Sequence, residues 1–427
     1  MKRISILCLC LLLAVARGGA QLKRSEAFHA KYELAEVVVL SRHNIRSPLS
    51  GNGSALSRIT PHEWFRWSSA SSELSLRGGV LETMMGQYFR KWLVSEGLIA
   101  EHEQAGRHLR FYANSMQRTI ATAQYFSSGM LPVANVPVEH HCAIGTMDPV
   151  FNPQFTFMNE GFRQQAAREV AQMGGEQGMA GIGARMRDNY KVLEQMLDLR
   201  RSPACIEGDT CAFRLDDTQV YMEAGKEPYM RGSLRLANQA SDALILQYYE
   251  EEDARRAAFG HKLKQRDWER IAEVKDWYGD VLFTAPSVAV HVAHPLLQCM
   301  NDELSVPHRR FTFLCGHDSN IASVMAALEA EDYSLPQSIE RKTPIGSKLV
   351  IEKWRDADGH EFAALNLVYQ STDQLRRLQM MDLENAPVIF PIRLKGLSEN
   401  ADGLYTLLDL QQRFAKAITA FSYLPQN

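Results

Sequence analysis

Strand-like and helix-like segments alternate at both ends of this chain but not in its middle, and that order constrains the fold more than any single motif. Val37–Leu40 is an apolar strand run. "LSLRGGVLETMMGQYFRKWLVSEG" (residues 74–97) follows, with Val80, Met84, Tyr88 and Trp92 at helical spacing and Gly97 as a stop. Leu109–Ala113 reads as a second strand, with Asn114 or Ser115 capping a helix that ends near Gly129. From about residue 155 to 285 the long polar-apolar segments predict helices, and strand signals are scarce. Strands return at "RRFTFLCGHDSN", "GSKLVIEKW" and "FAALNLVYQ", with "IASVMAALEA" as a helix. The expectation is an α/β domain assembled from residues 21–150 and 291–427, with a mainly α-helical insertion over 151–290.

The whole chain of 427 residues carries a net charge of −3, which gives no reason to expect nucleic acid or an anionic membrane as partner. Any basic cluster must therefore be local. Lys2 and Arg3, an apolar stretch from Ile4 to Val15 and the small residues Gly18-Gly19-Ala20 read as a signal peptide over residues 1–20, with a mature start near Gln21. Export to the periplasm or beyond the cell implies an oxidising compartment. Cys205 and Cys211 flank a short polar loop and are expected to pair, a closure worth ~2 kcal/mol before strain. Cys142, Cys299 and Cys315 cannot all pair with one another, and Cys315, in an apolar run, reads as a buried free thiol.

Three strand ends carry unusual residues. The first delivers Arg42, His43 and Arg46; the second leads to Arg118 in the first turns of its helix; the third delivers His317 and Asp318. Open α/β sheets place ligands beyond the carboxyl ends of their strands. If these strands are neighbours, three guanidinium groups, two imidazoles and a carboxyl group converge on one cavity. A dianionic phosphate fits such a cavity, because guanidinium forks bind its oxygens bidentately and helix N-termini add donors. "GHD" or "NSMQRT" alone is a weak signal; their joint placement at strand ends is a strong one.

"SRHNIRSPL" with the distal "GHDSN" resembles the histidine acid phosphatases, a branch of the histidine phosphatase superfamily marked by R-H-G-x-R-x-P and H-D. Leu74, Gly78, Gly86 and Arg90 match that family's L-T-x-x-G helix, and "YANSMQRTIATAQYF" matches the segment with its third phosphate-binding arginine. "GTMDPVFNP", "SPAC", "TPIG" and "VYQSTDQLR" are similar to the glucose-1-phosphatase subgroup. The resemblance spans about residues 34 to 375. Asn44 stands where most of the family has glycine, as in that subgroup and unlike typical bacterial phytases. Glu399 and Leu404 stand where two cysteines would be expected, so that disulfide is expected to be absent.

The resemblance implies a phosphoglycerate-mutase-like α/β domain and an acid phosphatase acting on phosphate monoesters of sugars without a cofactor or a catalytic metal. It implies His43 as nucleophile, Asp318 as general acid, and Arg42, Arg46, Arg118 and His317 as phosphate ligands. The arginines supply the positive charge that a two-metal phosphatase takes from ions. Activity should then favour acidic pH. Glu227, in "GKEPYM", is the candidate for restricting how phosphorylated a substrate can be. Glu139–Cys142, "EHHC", reads as a loop and not as a metal site, and Trp64 and Trp67 as packing against the insertion rather than a sugar platform. The alternatives are a broad phytase, a phosphoglycerate-type mutase, which the leader and the His317-Asp318 pair disfavour, and a non-catalytic phosphate-binding protein.

Overall fold

The computed structural model describes residues 24–49 and 54–425; the signal peptide expected over 1–20 lies outside them. Among the described residues the strands are β1 (Tyr32–Arg42), β2 (Leu109–Ala113), β3 (Gln219–Tyr221), β4 (Tyr229–Arg231), β5 (Phe311–Gly316), β6 (Lys348–Asp356), β7 (Glu361–Tyr369), β8 (Val388–Pro391) and β9 (Tyr405–Thr406). β3 and β4 form a separate hairpin. The other seven make one mixed sheet in the order β2-β5-β1-β6-β7-β8, with β9 on β7.

β2, β5 and β1 are parallel neighbours, with Arg42 opposite Gly316 and Ala113 opposite Cys315. Their carboxyl ends therefore share one edge, as the strand-end argument requires. β1 is apolar without a break from Val37 to Leu40 because both its faces are covered there. Val38 and Leu40 pack into one core with Leu296, Leu314 and Leu328, while Val37 and Val39 join Phe89, Phe126 and Phe313 on the other side. Burying each such side chain contributes about 1.5–3 kcal/mol, so the strand is held firmly up to the residue where its charges begin.

The Leu76–Ser95 helix forms where expected, but its buried face is Leu81, Met85, Tyr88, Phe89 and Leu93. Val80 is exposed instead, and Met84 and Trp92 are only partly buried. Glycines choose this face: a Cβ on Gly78 would overlap the Ile45 carbonyl, and one on Gly86 would overlap the Phe126 carbonyl. The second helix, Gln117–Met130, starts after Met116 with no side-chain cap. Asn114 and Ser115 are engaged elsewhere, Ser115 Oγ accepting the Cys142 N–H at 2.9 Å.

Between Glu160 and Phe283 the chain is helical apart from the hairpin and loops. Trp64 and Trp67 lie partly buried against the apolar cluster that Leu234, Leu244, Trp268 and Ile271 help to form. Cys205 and Cys211 are bonded, and Cys142, Cys299 and Cys315 are free, Cys315 being buried. Leu404 fills core space. No single described helix is long and apolar enough to cross a membrane.

Candidate active site

β1 ends by placing Arg42 out of solvent, 1% exposed. Its Nη1 donates to Glu340 Oε1 at 2.7 Å and to the Thr343 carbonyl at 2.6 Å. Glu340 is itself fixed, because its Oε2 accepts the Ile345 N–H at 2.9 Å. Such a pair is costly to desolvate but hard to break once formed. Arg42 is thus the rigid base of the site, its Nη2 3.5 Å from Asp318 Oδ2.

His43 follows, with its N–H donated to the Gly316 carbonyl at 3.1 Å. Nδ1 lies 2.9 Å from the Asn44 carbonyl. A carbonyl only accepts, so Nδ1 carries the proton and Nε2 keeps its lone pair. The ring lines a cavity of about 840 Å³ together with Arg46, Arg118, Glu227, Asp318 and Lys275. Asn44 turns the other way: Nδ2 donates to Glu82 Oε2 at 2.8 Å, and Glu82 Oε1 is 2.7 Å from Lys348 Nζ in a fully buried pair. Asn44 therefore supports the loop from behind and is not among the residues lining the cavity.

The two neighbouring strands complete the corner. Arg118 sits in the first turn of its helix, Nη2 3.5 Å from His317 Nδ1. Asn114 accepts the Asp148 N–H through Oδ1 at 2.8 Å, which fixes its amide so that Nδ2 faces His317 Nε2 at 2.7 Å. Nε2 of His317 is then an acceptor, so Nδ1 carries the proton, and Arg118 at 3.5 Å is a charged neighbour rather than a donor to it. Asp318 opens the Asp318–Ala327 helix, where its Oδ1 accepts the Ser319 N–H at 3.0 Å. Its Oδ2 receives Lys275 Nζ at 2.6 Å. Arg46 pairs with Asp242 at 3.0 Å.

These neighbours set the proton inventory. Burial, then Arg118, Arg46, His317 and Arg42, push the His43 imidazole well below its ordinary value, so the ring stays neutral in mild acid. Burial and Arg118 do the same to His317, against the opposing pull of Asp318. Arg118 is brought down to about 10 by burial and Arg46, and remains a cation. For Asp318, burial pushes the carboxyl up, but Lys275 and Arg42 outweigh it and hold it well below the usual range. Glu227 lines the cavity, where withdrawal from water raises its carboxyl, Arg118 lowers it, and Asp318 raises it again.

The structure therefore brings His43, Arg46, Arg118, His317, Asp318 and Glu227 to one cavity, with Arg42 buried beneath it. Sequence reasoning missed Lys275, Asp242, Glu340 and the orienting role of Asn114. In the "EHHC" loop, Glu139 pairs with Arg110 at 2.9 Å and His141 stacks on Tyr112 with ring centres 4.3 Å apart.

The profile of the histidine phosphatase superfamily (branch 2) matches residues 33–370. The chain is 40% identical over 410 residues to glucose-1-phosphatase of Salmonella typhimurium, covering 93% of this chain and 96% of that one. It is 36% identical over 423 residues to glucose-1-phosphatase of Providencia rettgeri, covering 97% and 99%. The fold superimposes on the apo form of Hafnia alvei phytase with a TM-score of 0.84, at 23% identity, covering 93% of this chain and 99% of that one.

Proposed function

The chain belongs to branch 2 of the histidine phosphatase superfamily, and from that premise we propose that it hydrolyses phosphate monoesters of sugars, glucose 1-phosphate foremost, through a phosphohistidine on His43. The observation that carries this reading is His43 with Nδ1 tied to a carbonyl, lining the same cavity as Arg46, Arg118 and His317. Nε2 attacks phosphorus while the guanidinium groups and the His317 Nδ1–H hold the non-bridging oxygens. Asp318 protonates the departing sugar oxygen and, as a carboxylate, later draws a proton from the water that cleaves the phosphohistidine.

The low Asp318 pKa gives the acid preference a specific origin. A phosphate monoester has its second pKa near ~6, so below that pH the substrate can bring the proton that Asp318 passes on. Lys275 is then a positioning residue for the proton donor. Lys275→Met removes the nearest cation, so the Asp318 pKa rises and the carboxyl keeps its proton to higher pH. With the alkaline limb set by the phosphate's own second pKa of about 6, the readout is kcat on the acid side of that limb, which should rise by up to ~10-fold as the carboxyl takes the substrate's proton more readily; kcat unchanged there would show that Lys275 does not govern the donor.

Substrate choice follows from the rest of the cavity. Beyond the phosphate corner the described lining mixes the acids Asp280, Glu331 and Asp332 with the cations Arg235, Lys342 and Lys395, so among the described residues no second cluster of arginines awaits further phosphates. We assign residues 151–290 as the selecting insertion, with Glu227 as its charged contact. Glu227→Ala should raise the kcat/KM for inositol hexakisphosphate relative to glucose 1-phosphate by ~10-fold, the worth of one like-charge contact near a surface. An unchanged ratio leaves Glu227 without a part in substrate choice. The founding experiment is phosphate release from both substrates side by side at acidic pH in a chelator. Preference for the sugar phosphate supports the proposal, preference for the inositol phosphate moves the chain to the phytase reading, and release from neither returns it to a phosphate-binding role. Export is part of the same proposal, supported by the leader pattern and the Cys205–Cys211 bond; N-terminal sequencing of the mature protein should begin near Gln21.

A further inference from the structure

Three residues outside the catalytic cavity, each from a different segment, meet at one oxygen. His62 lies between the phosphate-binding corner and the Leu76–Ser95 helix, Asp198 just before the Leu199–Arg201 turn, and His261 after the Ala254–Ala257 turn. Nε2 of His62 is 2.7 Å from Asp198 Oδ2, and Nε2 of His261 is 3.1 Å from the same atom. The potential donor atoms all lie within 4.8 Å of one another. The three side chains are 27%, 26% and 34% exposed, open enough for an ion to enter. The His62 ring is held flat against Phe259, with centres 4.9 Å apart and planes 18° off parallel.

We propose that His62, Asp198 and His261 form a binding site for a borderline transition-metal cation, zinc(II) foremost. Two imidazole nitrogens and one carboxylate oxygen are a donor set suited to such an ion, and water would complete the shell. Ligand atoms around a tetrahedral ion with bonds of ~2.0–2.1 Å stand ~3.3 Å apart. The two histidine–aspartate separations, 2.7 and 3.1 Å, need only a small outward adjustment, and the two imidazole nitrogens stand no more than 4.8 Å apart. On binding, each ring frees Nε2: a neutral ring moves its proton to Nδ1, and an imidazolium releases one proton to solvent. The carboxylate coordinates through the oxygen that both rings already face.

The site would act as a staple and not as a catalyst. None of its three residues lines the active cavity. Trp64, packed edge-on against Phe259 at 5.1 Å, donates to the Leu56 carbonyl at 3.1 Å, and Leu56 does line the cavity. A bound ion would therefore fix the segment carrying Trp64 to the helical region that shapes the mouth. A second cluster, Asp356, Asp358 and His360, serves as an internal control. It is a single tight turn whose Asp356 carboxylate already accepts the Asp358 and His360 N–H groups.

The test is calorimetric titration of the chelator-stripped, full mature protein with zinc chloride at neutral pH, paired with thermal unfolding. One equivalent should bind per chain and raise the unfolding temperature. His62→Gln and His261→Ala should each weaken binding by ~10–100-fold or more, while His360→Ala leaves it unchanged. Phosphate release by the stripped protein should persist in chelator. Absence of any titratable binding by the wild-type protein overturns the proposal without recourse to a variant. So does equal affinity in the His62→Gln/His261→Ala double variant, or loss of binding confined to His360→Ala; the cluster is then only an ion-paired triad.

Discussion

His43→Ala should lower turnover of glucose 1-phosphate by roughly 10⁴–10⁶-fold, as expected when the nucleophile of a covalent mechanism is removed. The fold should survive, because the ring makes a single hydrogen bond, to its neighbour's carbonyl, and β1 is anchored by the apolar residues that precede it. The decisive readout is chemical. Rapid quenching of the wild-type protein into alkali, in which phosphoramidates persist, should trap label from a radioactive phosphate ester on His43, and the variant should trap none. A variant that keeps turnover within ~100-fold of wild type would show that another group attacks phosphorus. The pH dependence carries a sign as well. A ring whose pKa is pushed down by burial and by Arg118 is protonated only well below the ordinary histidine value. The acid limb of kcat/KM should therefore lie below ~6.5, and Arg118→Met, by removing one of the charges responsible, should move that limb upward while weakening phosphate binding.

Which of these residues the sequence disclosed follows from how far apart the partners lie. Arg42, His43 and Arg46 stand within five positions, and His317 and Asp318 are adjacent, so each strand end is written as a compact string. That the three ends meet required only strand-helix alternation and the rule that parallel strands share an edge, and β2, β5 and β1 are indeed consecutive. The groups that tune the site are different. Lys275 lies 43 positions from Asp318, Asp242 lies 196 from Arg46, and Glu340 lies 298 from Arg42. A lysine inside "IAEVKDWYGDV" looks like any polar residue of an amphipathic helix, and nothing local distinguishes it. Asn114 was visible but misassigned. A helix-start position made a cap the natural expectation, and only the amide fixed by Asp148 shows it holding His317. Asn44 is the converse case: it marks the subgroup in sequence, but its side chain reaches back to Glu82 and shapes the loop, not the substrate wall. Val80 shows the same limit in the fold, since spacing identified the helix and backbone contacts at Gly78 and Gly86 decided which face went inward.

Asp318→Asn should separate the two halves of the reaction. With an alkyl phosphate such as glucose 1-phosphate, loss of the proton donor should cost ~10²–10⁴-fold in kcat, because a sugar alkoxide leaves poorly without a proton. With p-nitrophenyl phosphate the leaving phenolate needs no proton, so phosphorylation of His43 should stay fast while the second step, deprived of its base, becomes slow. The variant should then release a burst of nitrophenol close to the protein concentration and accumulate phosphohistidine. One objection is electrostatic: the amide leaves Lys275 without its partner at 2.6 Å and takes a neighbour from Arg42, and a partly buried cation so exposed could distort the corner by itself. Asp318→Asn combined with Lys275→Met answers it, since the double variant has neither the carboxylate nor the orphaned ammonium. If the double variant still fails on the alkyl ester and still shows the burst, the missing proton is the cause. If it recovers the alkyl ester, Asp318 acts only as a counter-ion, and the proton must come from the substrate's own phosphate or from water.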